Sequence, residues 1–344
     1  SKVRLLIWFP SEGFHLSMPR FLDDITWSIN DKGIPFDKVT MVYGDLNIEK
    51  NYERYLFHKR LGNDQKIKMY PFNVFETNYR HECDLRYFMN HKRKGVDAEK
   101  ELIDPKELNK DHIRSHKFLC KNANPREHRI YIMSEIYRRG WQDQTIHSFL
   151  NRYFTPDSIG NLKSYITESK QHYFDEIDAY SREWLKTKTP IILDYDANNI
   201  GEDMNQRMLV KEHFTETYFS FVTETVFESN PGAPLFITEK TYMPFVNYHP
   251  FIITSGPGCL KYLQEQGYET FPEIFDESYD DVVDRSKRLS IIMNNIERWC
   301  DKDINELHKK YWSVWDKLEH NHKHFFARKH KSEWIKLLNY LNDK

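Results

Sequence analysis

Short apolar runs alternate with stretches of helical spacing along residues 3–72. Leu5, Leu6, Ile7, Trp8 and Phe9 form an uninterrupted run that stops at Pro10. Residues 17–31 then carry Met18, Phe21, Leu22, Ile25 and Ile29, a recurrence at three and four that marks one face of a helix. Lys38–Tyr43 is a second strand-like run, closed by Gly44 and Asp45, and Ile67–Phe72 is a third after a helical stretch at 49–61. Strand, helix, strand, helix, strand at this pitch predicts a parallel sheet with helical crossovers.

Residues 90–115 change character. Lys92, Arg93 and Lys94, and then the run from Glu99 to Asp111, are charged with few apolar anchors, which predicts a linker or a solvent-facing helix. A second unit opens with a strand at 116–120 and a helix at 126–139 built on Ile130, Ile132, Met133, Ile136 and Tyr137. Further strands are predicted at 190–194, 218–223 and 249–254, helices over 281–318, and a helical tail to Lys344. No repeat at solenoid period is present. The pattern predicts an α/β protein of two Rossmann-like halves facing a cleft, which commonly binds a nucleotide-type ligand at strand carboxyl ends.

Composition narrows this. A chain of 344 residues with 39% hydrophobic positions is long enough for two cores. Fifty Lys and Arg against 52 Asp and Glu leave a net charge of -2, which excludes a histone-like protein while allowing a basic face. Cys83, Cys120, Cys259 and Cys300 lie far apart without CxxC spacing, as expected of free thiols in a reducing compartment. No run approaches the roughly 20 apolar residues of a membrane span, and the opening run is too short for a secretory signal. A soluble, cytoplasmic protein is expected, with no membrane partner.

Two segments carry the chemistry. Ser220–Thr225 and Phe236–Thr241 each place a glutamate, Glu224 and Glu239, directly after an apolar stretch. Thr238-Glu239-Lys240-Thr241 also opens a helical run, whose free amides together with Lys240 suit a diphosphate, while a glutamate there can accept both hydroxyls of a ribose. The plainer reading is a helix cap with a surface ion pair. Upstream, Lys117–Arg129 is a strand, a loop and a helix start dense in cations. Arg126 and Arg129 share a helix face and suit bidentate phosphate contact, although such a segment taken alone is more often a solvated charge cluster.

Taken in order, the basic loop, V-T-E-T, F-I-T-E-K-T, Pro250–Ile253 and Gly256-Pro257-Gly258 resemble the donor half of GT-B glycosyltransferases. They are similar to the C-terminal domain of fucosyltransferases, where F-x-x-E-K and an upstream Arg hold the nucleotide diphosphate. The blocks F-L-C-x-N…R-x-H-R, F-I-T-E-K-T-Y-x-P, Gly267–Phe271 and Phe275–Asp280 resemble bacteriophage and viral glycosyltransferases more closely still. Within that group the chain looks most like the 5-hydroxymethylcytosine arabinosyltransferases of T-even-like phages. The likeness spans roughly residues 115–290 and is only loose before them, through Gly44–Asn47.

The resemblance implies a GT-B-like fold with an acceptor-side domain at 1–112, a nucleotide-sugar domain at 113–300 and C-terminal helices at 301–344. It implies a donor site of Asn122, Arg126, Arg129, Glu224, Thr238, Glu239, Lys240 and Thr241, with a UDP-sugar favoured and no cofactor. Preorganised cations stabilise a departing diphosphate without a metal. Asp194-Tyr195-Asp196 mimics a D-x-D metal motif, but the surrounding pattern argues against that fold. Inverting transfer needs a base, and Asp45 is the first candidate, then Glu12 and Glu76. A turn-capping role for Asp45 in Gly-Asp-Leu-Asn is the alternative, and His15 has several possible uses.

His320, His322 and His324 alternate at a spacing that does not share a helix face, so no metal site is expected there. Duplex DNA is the implied acceptor, contacted through Lys92–Lys94, Arg138, Arg139 and Lys323–Lys331, with the target nucleotide extruded. The last stretch also reads as a solvated helix with Phe325 and Phe326 in the core. The alternatives are a glycan or lipopolysaccharide acceptor with a GDP-sugar, or a nucleotide-sugar-binding protein without catalysis.

Overall fold

The computed structural model describes residues 4–10, 18–88, 103–149, 177–193, 210–228, 234–328 and 330–342. In the N-terminal half, β1 (Leu5–Phe9), β2 (Val39–Tyr43) and β3 (Lys68–Pro71) form a parallel sheet in the order β1-β2-β3. Their crossovers are α1 (Met18–Asp31) and α2 (Ile48–Lys59). All five residues of β2 are buried, as a central parallel strand covered on both faces requires. Val39, Met41 and Tyr43 meet Leu22, Ile29, Tyr52 and Leu56 on the helix side.

The opposite face of that sheet is covered by the far end of the chain. Val42 and Phe72 pack with Leu337 of α12 (His330–Asn342), and Trp8 stacks on Trp334 at 5.5 Å. Between β3 and the second sheet runs α3 (Val74–Phe88).

In the C-terminal half, β4 (His116–Asn122), β5 (Thr145–Phe149), β6 (Thr217–Thr223) and β7 (Phe251–Thr254) form a four-stranded parallel sheet. Its order is β5-β4-β6-β7. The helices are α4 (Glu127–Arg138), α5 (Ala179–Lys188), the single turn α6 (Lys211–Thr215), α7 (Glu239–Val246), α8 (Cys259–Glu265) and α9 (Arg285–Cys300). Then come α10 (Ile304–Ser313) and α11 (Trp315–Ala327) before α12. The two Rossmann-like α/β units and the helical C-terminal tail are those the sequence pattern predicts. All four cysteines are free and buried.

Three differences from the expected elements have physical causes. The run at 190–193 makes only an isolated antiparallel bridge, Ile191 to Phe149, because Pro190 has no amide to extend a ladder. β5 escapes the apolar criterion because His147 and Ser148 interrupt it. α3 escapes because its inward side carries Glu76 and Arg80 rather than an apolar stripe.

Those two residues form part of the seam between the halves. Glu76 and Arg80 are ion-paired with side chains only 3% and 2% exposed. Glu76 also accepts from Tyr242 Oη at 3.0 Å, and Arg80 donates to Tyr268 Oη and to the Phe325 carbonyl of α11. Arg328 Nη1 lies 3.6 Å from Glu76. One buried carboxylate thus serves α3, α7 and the C-terminal helices. Glu76→Ala strands Arg80 without its counter-charge, and urea unfolding should show a loss of about 3–5 kcal/mol.

Candidate functional site

The strand order places a topological switch point between β4 and β6, where the chain leaves the sheet in opposite directions, the position at whose carboxyl ends open α/β sheets commonly bind ligands. At that edge Thr223 Oγ1 donates to Asn122 Oδ1 at 2.6 Å, tying the two strands together. Arg129, on the first turn of α4, donates to the Asn124 carbonyl at 3.1 Å and the Thr223 carbonyl at 2.8 Å. His128 Nε2 bonds the Glu224 carbonyl at 2.9 Å, which makes that nitrogen the donor. Burial, and then the charge of Arg129, holds the His128 pKa well below its usual range, so the ring is neutral.

Glu224 is fully buried and already engaged. It accepts from Thr238 N at 2.9 Å, Thr238 Oγ1 at 2.7 Å and Thr241 Oγ1 at 2.6 Å. Its negative charge therefore lies at the amino end of α7, the place where a helix attracts anions. Of the amides at this helix start, Glu224 takes Thr238 N, while Lys240 N turns to Thr238 Oγ1. Asn122, Thr238 and Thr241 are likewise buried and committed to shaping the edge. The N-cap reading of T-E-K-T holds, since Thr238 caps α7 through Lys240 N.

What remains open to a ligand is narrower. Arg126, the N-cap residue of α4, is exposed, and the first bond of that helix runs from Ile130 N to its carbonyl at 2.9 Å. The amides between are those a helix start leaves without an intrahelical acceptor. Lys240 is 21% exposed, with its ammonium 2.9 Å from Glu239 Oε1 and 3.2 Å from Thr238 Oγ1. Arg126 and Lys240 stand at the starts of the helices that follow β4 and β6. Arg129, expected to bind the donor, is spent on backbone carbonyls and orients the loop.

Asp45 follows β2 at the edge facing this site, yet its carboxylate is 1% exposed. Oδ1 accepts from Asn47 N at 2.8 Å and from Leu235 N at 2.9 Å, and Oδ2 from Asn51 Nδ2 at 2.7 Å. Leu46 N returns a bond to the Leu235 carbonyl at 2.9 Å. The turn-capping alternative is realised and extended across the seam. Gly44 is needed beside it, because a Cβ there would lie 3.1 Å from the Phe236 ring and 3.3 Å from Pro10. Burial raises the Asp45 pKa to about 6 against these three N–H donors. Glu76, the weaker candidate, is locked in the ion pair with Arg80. Glu12, His15, Asp194, Asp196 and Lys92–Lys94 lie outside the described residues.

Several other expectations resolve. His322 turns inward to the Val246 carbonyl and stacks on Tyr248 at 4.3 Å, while His320 and His324 face the Gly267 and Gln266 carbonyls. Arg138 and Arg139 pair with Glu135, Asp178 and Glu297, and Lys323 with Glu319. Phe325 is core, as the plainer reading of that stretch has it. A cavity of about 480 Å³ lined by Tyr52, Glu53, Lys66, Lys68 and Tyr340 lies at the amino end of β3, away from the carboxyl edge where the helix starts converge. Among the described residues, no helix is long and apolar enough to cross a membrane.

Arg288 at the start of α9 was not anticipated. It is 1% exposed and donates to the Glu228, Val282 and Val283 carbonyls at 2.5, 2.7 and 3.0 Å. Val282 and Val283 lie just before the helix, but Glu228 is remote in sequence, and no local pattern announces that bond.

The Asp45 carboxyl offers a test of this geometry. Its native pKa stands above the ordinary value of about 3.9, so between roughly pH 4 and 6 the folded state binds more protons than the unfolded one. Stability supplied by this group is present at low pH and lost as pH rises through about 6. Relative to Asp45→Asn, the wild type should therefore gain roughly 2–3 kcal/mol as pH falls across that window. Parallel stability curves for the two proteins would show that the carboxyl is solvated.

No family model matches the chain, and no curated protein matches it. Among solved structures, it is similar to alpha,alpha-trehalose 6-phosphate synthase from Burkholderia multivorans. The TM-score is 0.40 and the identity 11%, over 97% of this chain and 67% of that one.

Proposed function

We propose that this chain is a GT-B-type glycosyltransferase that takes a sugar from a nucleoside-diphosphate sugar. The observation carrying this reading is the pair of cations, Arg126 and Lys240, at helix starts beside the β4–β6 switch point. A leaving nucleoside diphosphate gains negative charge as the glycosidic bond breaks. Fixed cations and amide dipoles stabilise that charge with little reorganisation and without a metal. Arg129 and His128 contribute by holding the loop carbonyls of Asn124, Thr223 and Glu224 inward, away from the diphosphate.

The general base of an inverting displacement is not assigned to Asp45. A carboxylate committed to three N–H donors at 1% exposure is suited to holding Leu235, and through it the segment leading to Lys240. Glu239 remains a candidate for ribose or sugar hydroxyls beside Lys240.

For the acceptor we carry forward 5-hydroxymethylcytosine in phage duplex DNA, with UDP-arabinose as donor, on the resemblance of the sequence blocks. A glycan acceptor is the second reading. It is favoured by the pairing of Arg138, Arg139 and Lys323 with carboxylates of this chain, which leaves those cations less available to phosphates. Incubation with a panel of nucleotide sugars and either hydroxymethylated duplex or glycan, followed by mass analysis of the products, separates the two. Sugar nucleotide bound tightly but neither hydrolysed nor transferred would mark a binding protein.

Lys240→Ala should weaken nucleoside-diphosphate affinity about 10- to 100-fold, the worth of one charge-assisted hydrogen bond, with the thermal midpoint nearly unchanged. Unaltered affinity would remove Lys240 from the diphosphate site.

A further inference from the structure

β1 is the outer strand of the first sheet. Among the described residues it pairs with β2 along one edge and with no strand along the other. Its side chains alternate, so that Ile7 and Phe9 join the core under α1 while Leu6 and Trp8 point to the α12 side. Edge strands are usually guarded by charges, a proline or a bulge, because their open row of amides and carbonyls invites another strand. Leu5–Phe9 carries no charge and no proline, and its register with β2 runs through all five residues without a bulge. Arg4, just before it, donates to the Leu341 carbonyl of α12.

The flank of that edge is apolar as well. Along α12, Trp334 meets Trp8 and Phe72, Leu337 faces the sheet, and Tyr340 stands over Tyr70 of β3 at 4.6 Å. Helical spacing then places Leu338 and Ile335 on the side of Trp334 that looks away from β3. Leu6, Trp8, Trp334, Ile335 and Leu338 are each 37–55% exposed. Together they form a patch on the order of 400 Å², a size at which exposed apolar surface marks a contact site.

An isolated peptide strand would satisfy the edge of β1 and leave the side of α12 wet, and a helix would do the reverse. An occupant that covers both needs an open strand edge with an apolar helix beside it, which this chain itself carries. A two-fold axis perpendicular to the sheet pairs β1 antiparallel with a copy of itself and keeps both α12 helices on the same face, so that Ile335 and Leu338 of each turn toward the other. The strand edge, about 17 Å long, added to the patch brings the buried surface near the roughly 800 Å² per partner of a standard interface. We infer that the β1 edge and the outer side of α12 form the interface of a two-fold homodimer, whose first sheets join into one of six strands.

The test is sedimentation and hydrogen exchange on the full chain, over concentrations from well below to well above micromolar. Wild type should sediment at twice the chain mass at the upper end, and exchange of the β1 amides should slow as the dimer forms. Ile335→Lys with Leu338→Lys places like charges across the axis on positions already exposed, and should raise the dissociation constant at least about 100-fold. An unchanged circular dichroism spectrum verifies its fold. Phe57→Lys, at an 81% exposed apolar position on α2 at the opposite face, should leave the dimer intact and so separates this surface from general stickiness. A dimer that survives the double substitution, or that forms without slowing β1 exchange, overturns the inference. So does a wild-type monomer: slow β1 exchange at every concentration would then assign the cover to the chain itself, and fast exchange would leave it to a foreign partner.

Discussion

The segment from Leu235 to Tyr242 is the part of this molecule on which the rest depends. It is gripped at one end by Asp45 and at the other by Glu76 and Asn73, all from the N-terminal half. From beneath, Glu224 of its own half holds Thr238 and Thr241. Buried carboxylates are costly unless fully paired, so each of the three fixes its donors in one arrangement. The segment is therefore shared property of both sheets, and the orientation of Lys240 is set by both at once.

The same economy separates two kinds of basic residue at the carboxyl edge. Arg129 and Arg288 are buried and turned to backbone carbonyls, where guanidinium groups act as rigid brackets. Arg126 is exposed at a helix start, and Lys240 is half-open beside Glu239. Bracket and open cation are chemically alike, and only burial and the identity of the acceptor distinguish them. Neutral His128 completes the bracket set without adding charge.

Most of the architecture is legible in the chain because parallel strands covered on both faces are nearly all apolar. β2 and β7 announce themselves in this way, β4 and β6 through the shorter runs Phe118–Cys120 and Tyr218–Phe219, and Pro10 and Gly44 visibly end the runs of β1 and β2. β5 and α3 do not, since buried His147 and Ser148 interrupt one, and in the other Glu76 and Arg80 face inward to the distant partners Tyr242 and Tyr268. The helix starts at Arg126 and Lys240 are also legible. The engagement of Glu224 is not, because a glutamate after a strand has the same local signature whether it faces a ligand or its own helix. Asp45 shows the same ambiguity: Gly-Asp-Leu-Asn encodes the cap, but nothing nearby encodes Leu235.

The packing of α12 on the first sheet bears on how the protein is made. One face of β1, β2 and β3 is covered by α1 and α2 as soon as they emerge, but the other waits for Trp334 and Leu337. During synthesis the first unit leaves the ribosome with Val42 and Phe72 uncovered and remains so until the last helix docks. Folding of this half is thus completed only after the second half has been translated, and a ribosome stalled before α12 would display a sticky, chaperone-attracting sheet.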